Sequence, residues 1–306
     1  MTKHQHSRGQ AYVITILFLA GLLAIAAAVL DIGSWYRADR HLQATVDAAA
    51  LAGAQALPQG TGSATALATQ YANENGGGDM QISFSSTAFA NDTITVSGSR
   101  PAPGFFSKVF GVKSVTVHAT ASARGGYPTA VKYVAPIVVD ESLPQLHCNP
   151  NPCTDATTLT YLHLKANGTP DGSGNFGFIN LTGENGIGSS QLGEWIDSGF
   201  NQFMDVGNYD AVTGNNFTAN QVQAPLEARI GDLLLFPVYH SLTGTGTGAK
   251  YDIVGWVGFQ LTGIDFNGNT QKIYGNFTSV TWEGIQAESA GDAPPDFGVT
   301  SVSLVN

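Results

Sequence analysis

The chain predicts an α+β protein. A long N-terminal (trans)membrane helix should lie on a small antiparallel sheet, followed by a β-rich, sandwich- or barrel-like C-terminal domain with one or two short helices. Three observations carry this. Residues 11–30 run for twenty positions without a charge. The stretch after them keeps helical spacing as far as Pro58. From Ile82 onward the pattern changes to alternation broken by Gly, Asn and Thr turns, which is the signature of short strands. Composition agrees: 12% of the 306 residues are charged, 37 are Gly and 43% are hydrophobic. That is too few charges for a mostly helical cytosolic enzyme and too much apolar content for a disordered chain.

The first element is the apolar run Ala11–Leu30. Twenty helical residues rise ~30 Å, the thickness of a bilayer core. Lys3 and Arg8 precede the run, so the positive-inside rule makes residues 1–10 a cytoplasmic leader and puts the bulk outside. This predicts a single-pass protein of the cytoplasmic (inner) membrane with an extracytoplasmic body. A signal peptide is the competing reading, because the start is basic and small residues stand at Ala24/Ala26 and Ala26/Ala28. Against it, the apolar run continues through Val29 and Leu30, and no Pro or Gly breaks it near the supposed cut. Trp35 and Tyr36 follow where interface anchors of a retained span would sit. A retained anchor is the expectation.

Beyond the span, Ile32, Trp35, Leu42, Val46, Ala49, Gly53 and Leu57 recur mostly at helical steps, and Pro58 supplies a stop. One helix over about 11–57 would be ~70 Å long. Its outer half is nearly all alanine on one side, so another element, or a second copy of the chain, can approach closely. SATALATQYANENGGG reads as a short helix, capped by Ser63 and stopped at Gly76. Strands follow at Ile82/Phe84, at Ile94/Val96 after an Asn91-Asp92 turn, and at VTVHATASA, where Val115, Val117, Ala119 and Ala121 share a face. PGFFSKVFG between the last two reads as one apolar helical turn. These elements make a unit over 31–124, with 125–130 as a Gly-Gly-Tyr-Pro linker.

Residues 131–306 form the second unit. Its strands are VKYVAPIVV, TLTYLHLK, DLLLFPVY, YDIVGWVGFQL and KIYGNFTSVTW. Helices are expected over Ser190–Phe200 and near Gln223–Arg229.

Charge narrows the partners. Residues 1–58 set Lys3, Arg8, Arg37 and Arg40 against Asp31, Asp39 and Asp47, a net of +1, and the remainder carries nine basic and twenty acidic residues, a net of −11. An acidic body argues against nucleic acid as a partner, since that needs a basic face. Cys148 and Cys153, in HCNPNPC, are spaced for a small disulfide suited to an oxidising compartment. Free thiols, or a metal pair extended by His147 and His163, are the alternatives.

Few residues point to chemistry. IVVDESLP ends a strand in Asp140-Glu141-Ser142, and Asp140 and Ser142 are candidate metal ligands, although a plain strand-to-loop transition explains them as well. DGSGNFGF at 171–178 imitates a calcium loop, but Phe176 replaces the required Gly and Thr182 the bidentate Glu. There is no G-x-S-x-G and no S-x-x-K, and His147, His163 and His240 are scattered. The five N-x-S/T sequons at Asn91, Asn167, Asn180, Asn216 and Asn276 fit polar loops. No catalytic residue and no cofactor is predicted.

The N-terminal stretch carries an ordered set of motifs: Arg8-Gly9-Gln10, the apolar run, Asp31-Ile32-Gly33, Tyr36, Arg37/Arg40, Leu42-Gln43 and the run Asp47 to Ala54. Ala68 to Gly76, FFSKVFG and VTVHATASA extend it. In these motifs the chain resembles the start of TadG-like proteins of the bacterial tight-adherence (Tad/Flp) pilus system. The resemblance implies a membrane-anchored pilus-assembly component. Its expected partners are other pilus or secretion components, membrane lipid, and further copies of itself meeting through the N-terminal helix. Members with a von Willebrand A domain end a strand in D-x-S-x-S, whereas here Pro144 occupies the fifth position and one hydroxyl ligand is missing. Prepilin-type cleavage between Gly9 and Gln10 would put Ile14 where pilins place a glutamate, so the anchor is expected to stay uncut. The leading expectation is a structural, non-enzymatic protein. The second is a secreted or anchored carbohydrate-binding β-sandwich using Trp195, Trp256 or Trp282. The third is a hydrolase built on Asp140, Glu141 and a distant His.

Overall fold

A computed structural model describes residues 7–148, 152–153, 160–163, 176–183, 187, 189–212, 219–245, 248–266, 271–288 and 294–305. Residues 1–6, the calcium-like turn at 171–175 and the sequons at Asn167 and Asn216 lie outside the described residues. The chain is mixed α+β, with a long apolar N-terminal helix followed by a β-rich region with few short helices. It divides into two units. One holds residues 1–85, 93–124 and 303–306, and the other holds 86–92 and 125–302.

The first unit is organised on helix α1 (Ser7–Gln55). Its 49 residues rise ~73 Å without interruption. It ends short of the expected Leu57 because Pro58 belongs to a separate 3-10 turn over Leu57–Gln59. Helix α2 (Thr61–Glu74) follows, and its N-cap is Gly60 at φ +109°, a conformation that favours glycine. Ser63, expected as the cap, lies inside the helix. Gly60 reverses the chain early enough that helix geometry starts at Thr61.

Strands β1 (Asp79–Ser85), β2 (Thr93–Pro103) and β3 (Ser114–Gly126) pair antiparallel, with Ile82 opposite Val96 and Val96 opposite Ala121. The alternation seen in the sequence is therefore the inward face of this sheet: Ile94, Val96, Val117, Ala119 and Ala121 are all buried. That face packs on α1, where Leu42 and Val46 lie beside Gly98 of β2. Buried Ala64, Ala68 and Ala72 of α2 cover the neighbouring side of the helix, meeting it at Gly53. The alanine face of α1 is thus occupied from within the chain over its C-terminal half. Thr45 donates its hydroxyl to the Asn75 carbonyl at 2.8 Å, and Arg100 donates to the Ala38 carbonyl at 3.0 Å, tying both ends of the packing.

The stretch expected as a linker is largely strand. β3 runs to Gly126, and β4 (Pro128–Val131) begins after Tyr127.

Among the described residues, the second unit contains a seven-stranded mixed sheet. Its order is β6 (Thr160–His163), β12 (Lys272–Thr278), β11 (Lys250–Asp265), β10 (Leu233–Thr243), β5 (Ile137–Asp140) and β7 (Phe176–Phe178), with β9 (Gly207–Asp210) also on β11. Every pairing is antiparallel except β5 with β10. The expected strand VKYVAPIVV is split into β4 and β5, because Tyr133 adopts φ +57° and Pro136 removes a backbone donor. A second ladder joins β14 (Gly284–Gln286), β4 and β8 (Met204–Asp205), and β13 (Val280–Thr281) runs parallel to β15 (Val299–Val305). Helices α3 (Ser189–Ser198) and α4 (Ala224–Ala228) add Leu192, Trp195, Ile196 and Leu226 to the core. Phe259 stands at its centre, stacked on Phe236 at 5.0 Å and edge-on to Phe277 at 5.2 Å.

Candidate functional site

The largest departure from an ordinary soluble surface is the first half of α1. No residue of its most apolar stretch is buried, and Leu17 and Phe18 are each 67% exposed. An uncovered apolar run of this length is strongly disfavoured in water. The helix is long and apolar enough to cross a membrane. Gly9 and Gln10, the candidate processing site, lie within its first turns, and Ala11 to Leu30 is unbroken helix.

Just past the C-terminal end of this stretch Tyr36 is exposed and its hydroxyl accepts a hydrogen bond from Arg40 Nε at 3.1 Å. The Arg40 guanidinium also lies over the Tyr36 ring, 5.2 Å from its centre. Trp35 is half-buried and lines a cavity of about 190 Å³, walled by Ala24, Ala27, Ala28, Asp31, Phe106 and Phe110 among others.

Asp31 organises the point on α1 where the apolar run ends. It is 2% exposed. Its carboxylate accepts backbone N–H bonds from Phe105 (2.8 Å), Phe106 (3.0 Å) and Ser107 (2.6 Å). Those residues lead into the 3-10 turn Ser107–Phe110 in the β2–β3 connection. The loop also closes on itself: the Gly104 N–H donates to the Lys113 carbonyl at 3.0 Å, and the Ser107 hydroxyl donates to the Val112 carbonyl at 3.0 Å. Burial pushes the Asp31 carboxyl up, but the hydrogen bonds from Ser107, Phe105 and Phe106 outweigh it and hold it at about 2. In the sequence Asp31 shows only as a charge and as part of a motif. The signal that could have singled it out is a lone carboxylate directly after an apolar helix, a place where it needs dedicated donors.

In the second unit the structure brings together Asp140, Glu141, Ser142, Tyr239 and His240 at the end of β5. Asp140 Oδ1 accepts from the Ser142 amide (2.9 Å) and hydroxyl (2.7 Å), and Oδ2 accepts from the Tyr239 hydroxyl (2.9 Å). The two candidate metal ligands are therefore bonded to each other in a local turn. Burial, and then the Asp140 charge, push the Tyr239 hydroxyl well above the ordinary range and that of Tyr251 up to about 12. Glu141 meets His240 Nδ1, and this hydrogen bond raises the imidazole above its usual value. His147 contacts the Glu141 carbonyl. Among the described residues no three His, Cys, Asp or Glu gather as a metal site. Cys148 and Cys153 form a disulfide with Cα atoms 5.0 Å apart.

Two of the three tryptophans expected for ligand binding are core residues: Trp256 is 2% exposed and Trp195 6%. Trp195 and Trp282 line a cavity of about 260 Å³ together with Tyr133, Arg229 and Leu233. Two groups in that wall are already engaged. The Trp282 indole donates to the Lys132 carbonyl at 2.7 Å, and Arg229 donates to Asp232 at 2.6 Å and to the Ile196 carbonyl at 3.2 Å.

Residues 9–56 fit the Tad family model, described as "Putative Flp pilus-assembly TadE/G-like". The matched segment begins at the candidate processing site and ends just past α1. No curated protein and no solved structure matches the chain.

Proposed function

We propose that this chain, whose N-terminal segment is TadE/G-like and whose role is therefore pilus-related, is a single-pass anchored, non-enzymatic structural component of Tad/Flp pilus assembly. The N-terminus lies in the cytoplasm, residues 11–30 cross the inner membrane, and the body is extracytoplasmic. There the second unit faces other pilus components. The observation that carries this reading is a coincidence of two features on one helix: the family match covers residues 9–56, and the apolar part of that helix is uncovered. The leader's Lys3 and Arg8 support the orientation. The Cys148–Cys153 disulfide supports an oxidising compartment.

The test is to express the chain with a C-terminal tag in a bacterium, wash the membranes with carbonate and sequence the mature N-terminus. Retention in the membrane with Met1 or Thr2 first is the expected result. A chain beginning at Gln10 would make it a processed, pilin-like subunit. A soluble product beginning between Ala27 and Val29 would make the apolar run a signal peptide and refute the anchor.

A second reading, a surface module binding a carbohydrate or another small ligand, draws support from the cavity lined by Trp195 and Trp282. Quenching of tryptophan emission by an oligosaccharide panel, lost in Trp282→Ala, would favour it.

A further inference from the structure

Outside the first half of α1, the β2–β3 loop carries a run of exposed apolar side chains. Val109 is 83% exposed, Phe110 79% and Phe105 63%, and Phe106 and Val112 are also open. An exposed cluster of this kind marks an interaction surface. Its position on the helix says what it meets. Asp31 clamps the loop directly past the end of the apolar run, and Phe106 and Phe110 share a cavity wall with Ala28, Ala27 and Ala24. Ala24 precedes Leu30 by ~9 Å along the axis at 1.5 Å per residue. The loop therefore turns back beside residues assigned to the membrane span, to a depth typical of interfacial apolar segments, ~5–10 Å.

We propose that residues 105–112 insert into the outer leaflet of the membrane, as a second lipid contact beside the helix. The inference rests on the reading that residues 11–30 span the bilayer. Charge favours lipid: the only Lys, Arg, Asp or Glu between Pro101 and Ala123 are Lys108 and Lys113, both exposed, on a body that is otherwise acidic. They stand where ammonium groups reach phosphate headgroups while the aromatic side chains enter the acyl region. The loop's own hydrogen bonds and those to Asp31 satisfy backbone groups that would otherwise be costly to bring toward the acyl region. Asp31, with its donors supplied by the loop, is the clamp that sets the insertion angle. The span alone leaves the helix free to tilt and rotate. A second contact off the axis removes that freedom and orients the β1–β3 sheet relative to the membrane plane.

The experiment uses the full chain in vesicles of phosphatidylethanolamine and phosphatidylglycerol. Its own cysteines are joined, so an added cysteine carries an environment-sensitive dye alone. Dye is placed by Val109→Cys in the loop, Leu22→Cys in the span and Gln70→Cys on α2. The expected result is that the Val109 probe behaves like the Leu22 probe: blue-shifted, quenched by spin-labelled lipid and shielded from iodide, with the Gln70 probe open to iodide. A Leu22 probe in lipid with a Val109 probe open to iodide overturns the insertion and leaves the anchor standing. Both probes open to iodide refute the anchor, and the insertion falls with it. A Val109 probe shielded from both quenchers means protein covers the loop, a second copy in this purified system, and also overturns the proposal.

Discussion

Gly53 lies on α1 facing both α2 and β2, and the structure fixes what a methyl there would meet. A Cβ would stand 2.5 Å from Ile94 Cδ1, 3.1 Å from Ala68 Cβ and 3.2 Å from the Ala64 carbonyl oxygen. The Ile94 methyl ends a flexible side chain and can rotate away. The Ala64 oxygen is backbone, so relief there requires α2 to move off by a few tenths of an ångström. Overpacking of this kind costs about 1–3 kcal/mol. Replacing Gly by Ala inside a helix returns about 1 kcal/mol. Gly53→Ala should therefore destabilise the α1–α2–β2 packing by about 1 kcal/mol, which is about fivefold in the opening equilibrium. Gly33 is the control. It lies in the same helix, and a Cβ there would have nothing within 4 Å, so Gly33→Ala collects only the propensity gain. Hydrogen exchange of the full chain in detergent, read over α2 and β2, separates the two. Protection there should fall in Gly53→Ala and hold or rise in Gly33→Ala. Equal or higher protection in Gly53→Ala would show that the helices do not approach as closely as Gly53 implies.

Three further outcomes are expected. Asp31 titrates at about 2 in the folded chain, below the ordinary carboxylate value of 3.8, so its contribution to holding the loop is present above pH ~4 and is lost as pH falls through about 2. A carbon NMR titration of the Asp31 carboxyl in detergent checks it, and a midpoint at 3.8 or above refutes the clamp. Cys148 and Cys153 stand only five positions apart in the chain, so replacing both with Ser should cost about 2 kcal/mol by denaturant unfolding. Thiol labelling of the unreduced protein should find no free cysteine. Phe259→Ala empties the space between Phe236 and Phe277 and should destabilise the second unit by about 3–5 kcal/mol in the same unfolding assay.

Periodicity made the elements legible. The run Ala11–Leu30 and the small-residue spacing beyond it predict one long helix, and α1 is that helix because helical spacing is a local property of the chain. Alternation at Ile94/Val96 and at Val115–Ala121 predicts strands and their inward face for the same reason, since side chains on a strand point to opposite sides in turn. The family segment was also legible, because its motifs lie in order within one continuous stretch. Three features were decided by the tertiary structure. Tyr133 at φ +57° broke an apparently continuous strand, although nothing in VKYVAPIVV signals a left-handed residue. Asp140, Glu141 and His240 converge only because β5 lies parallel to β10. Asp31 finds its three donors 74 to 76 residues away, in a loop whose apolar side chains look, in the sequence, like ordinary core. Pattern reports which side of an element avoids water. Which partner satisfies a buried carboxylate depends on where the rest of the chain returns in space.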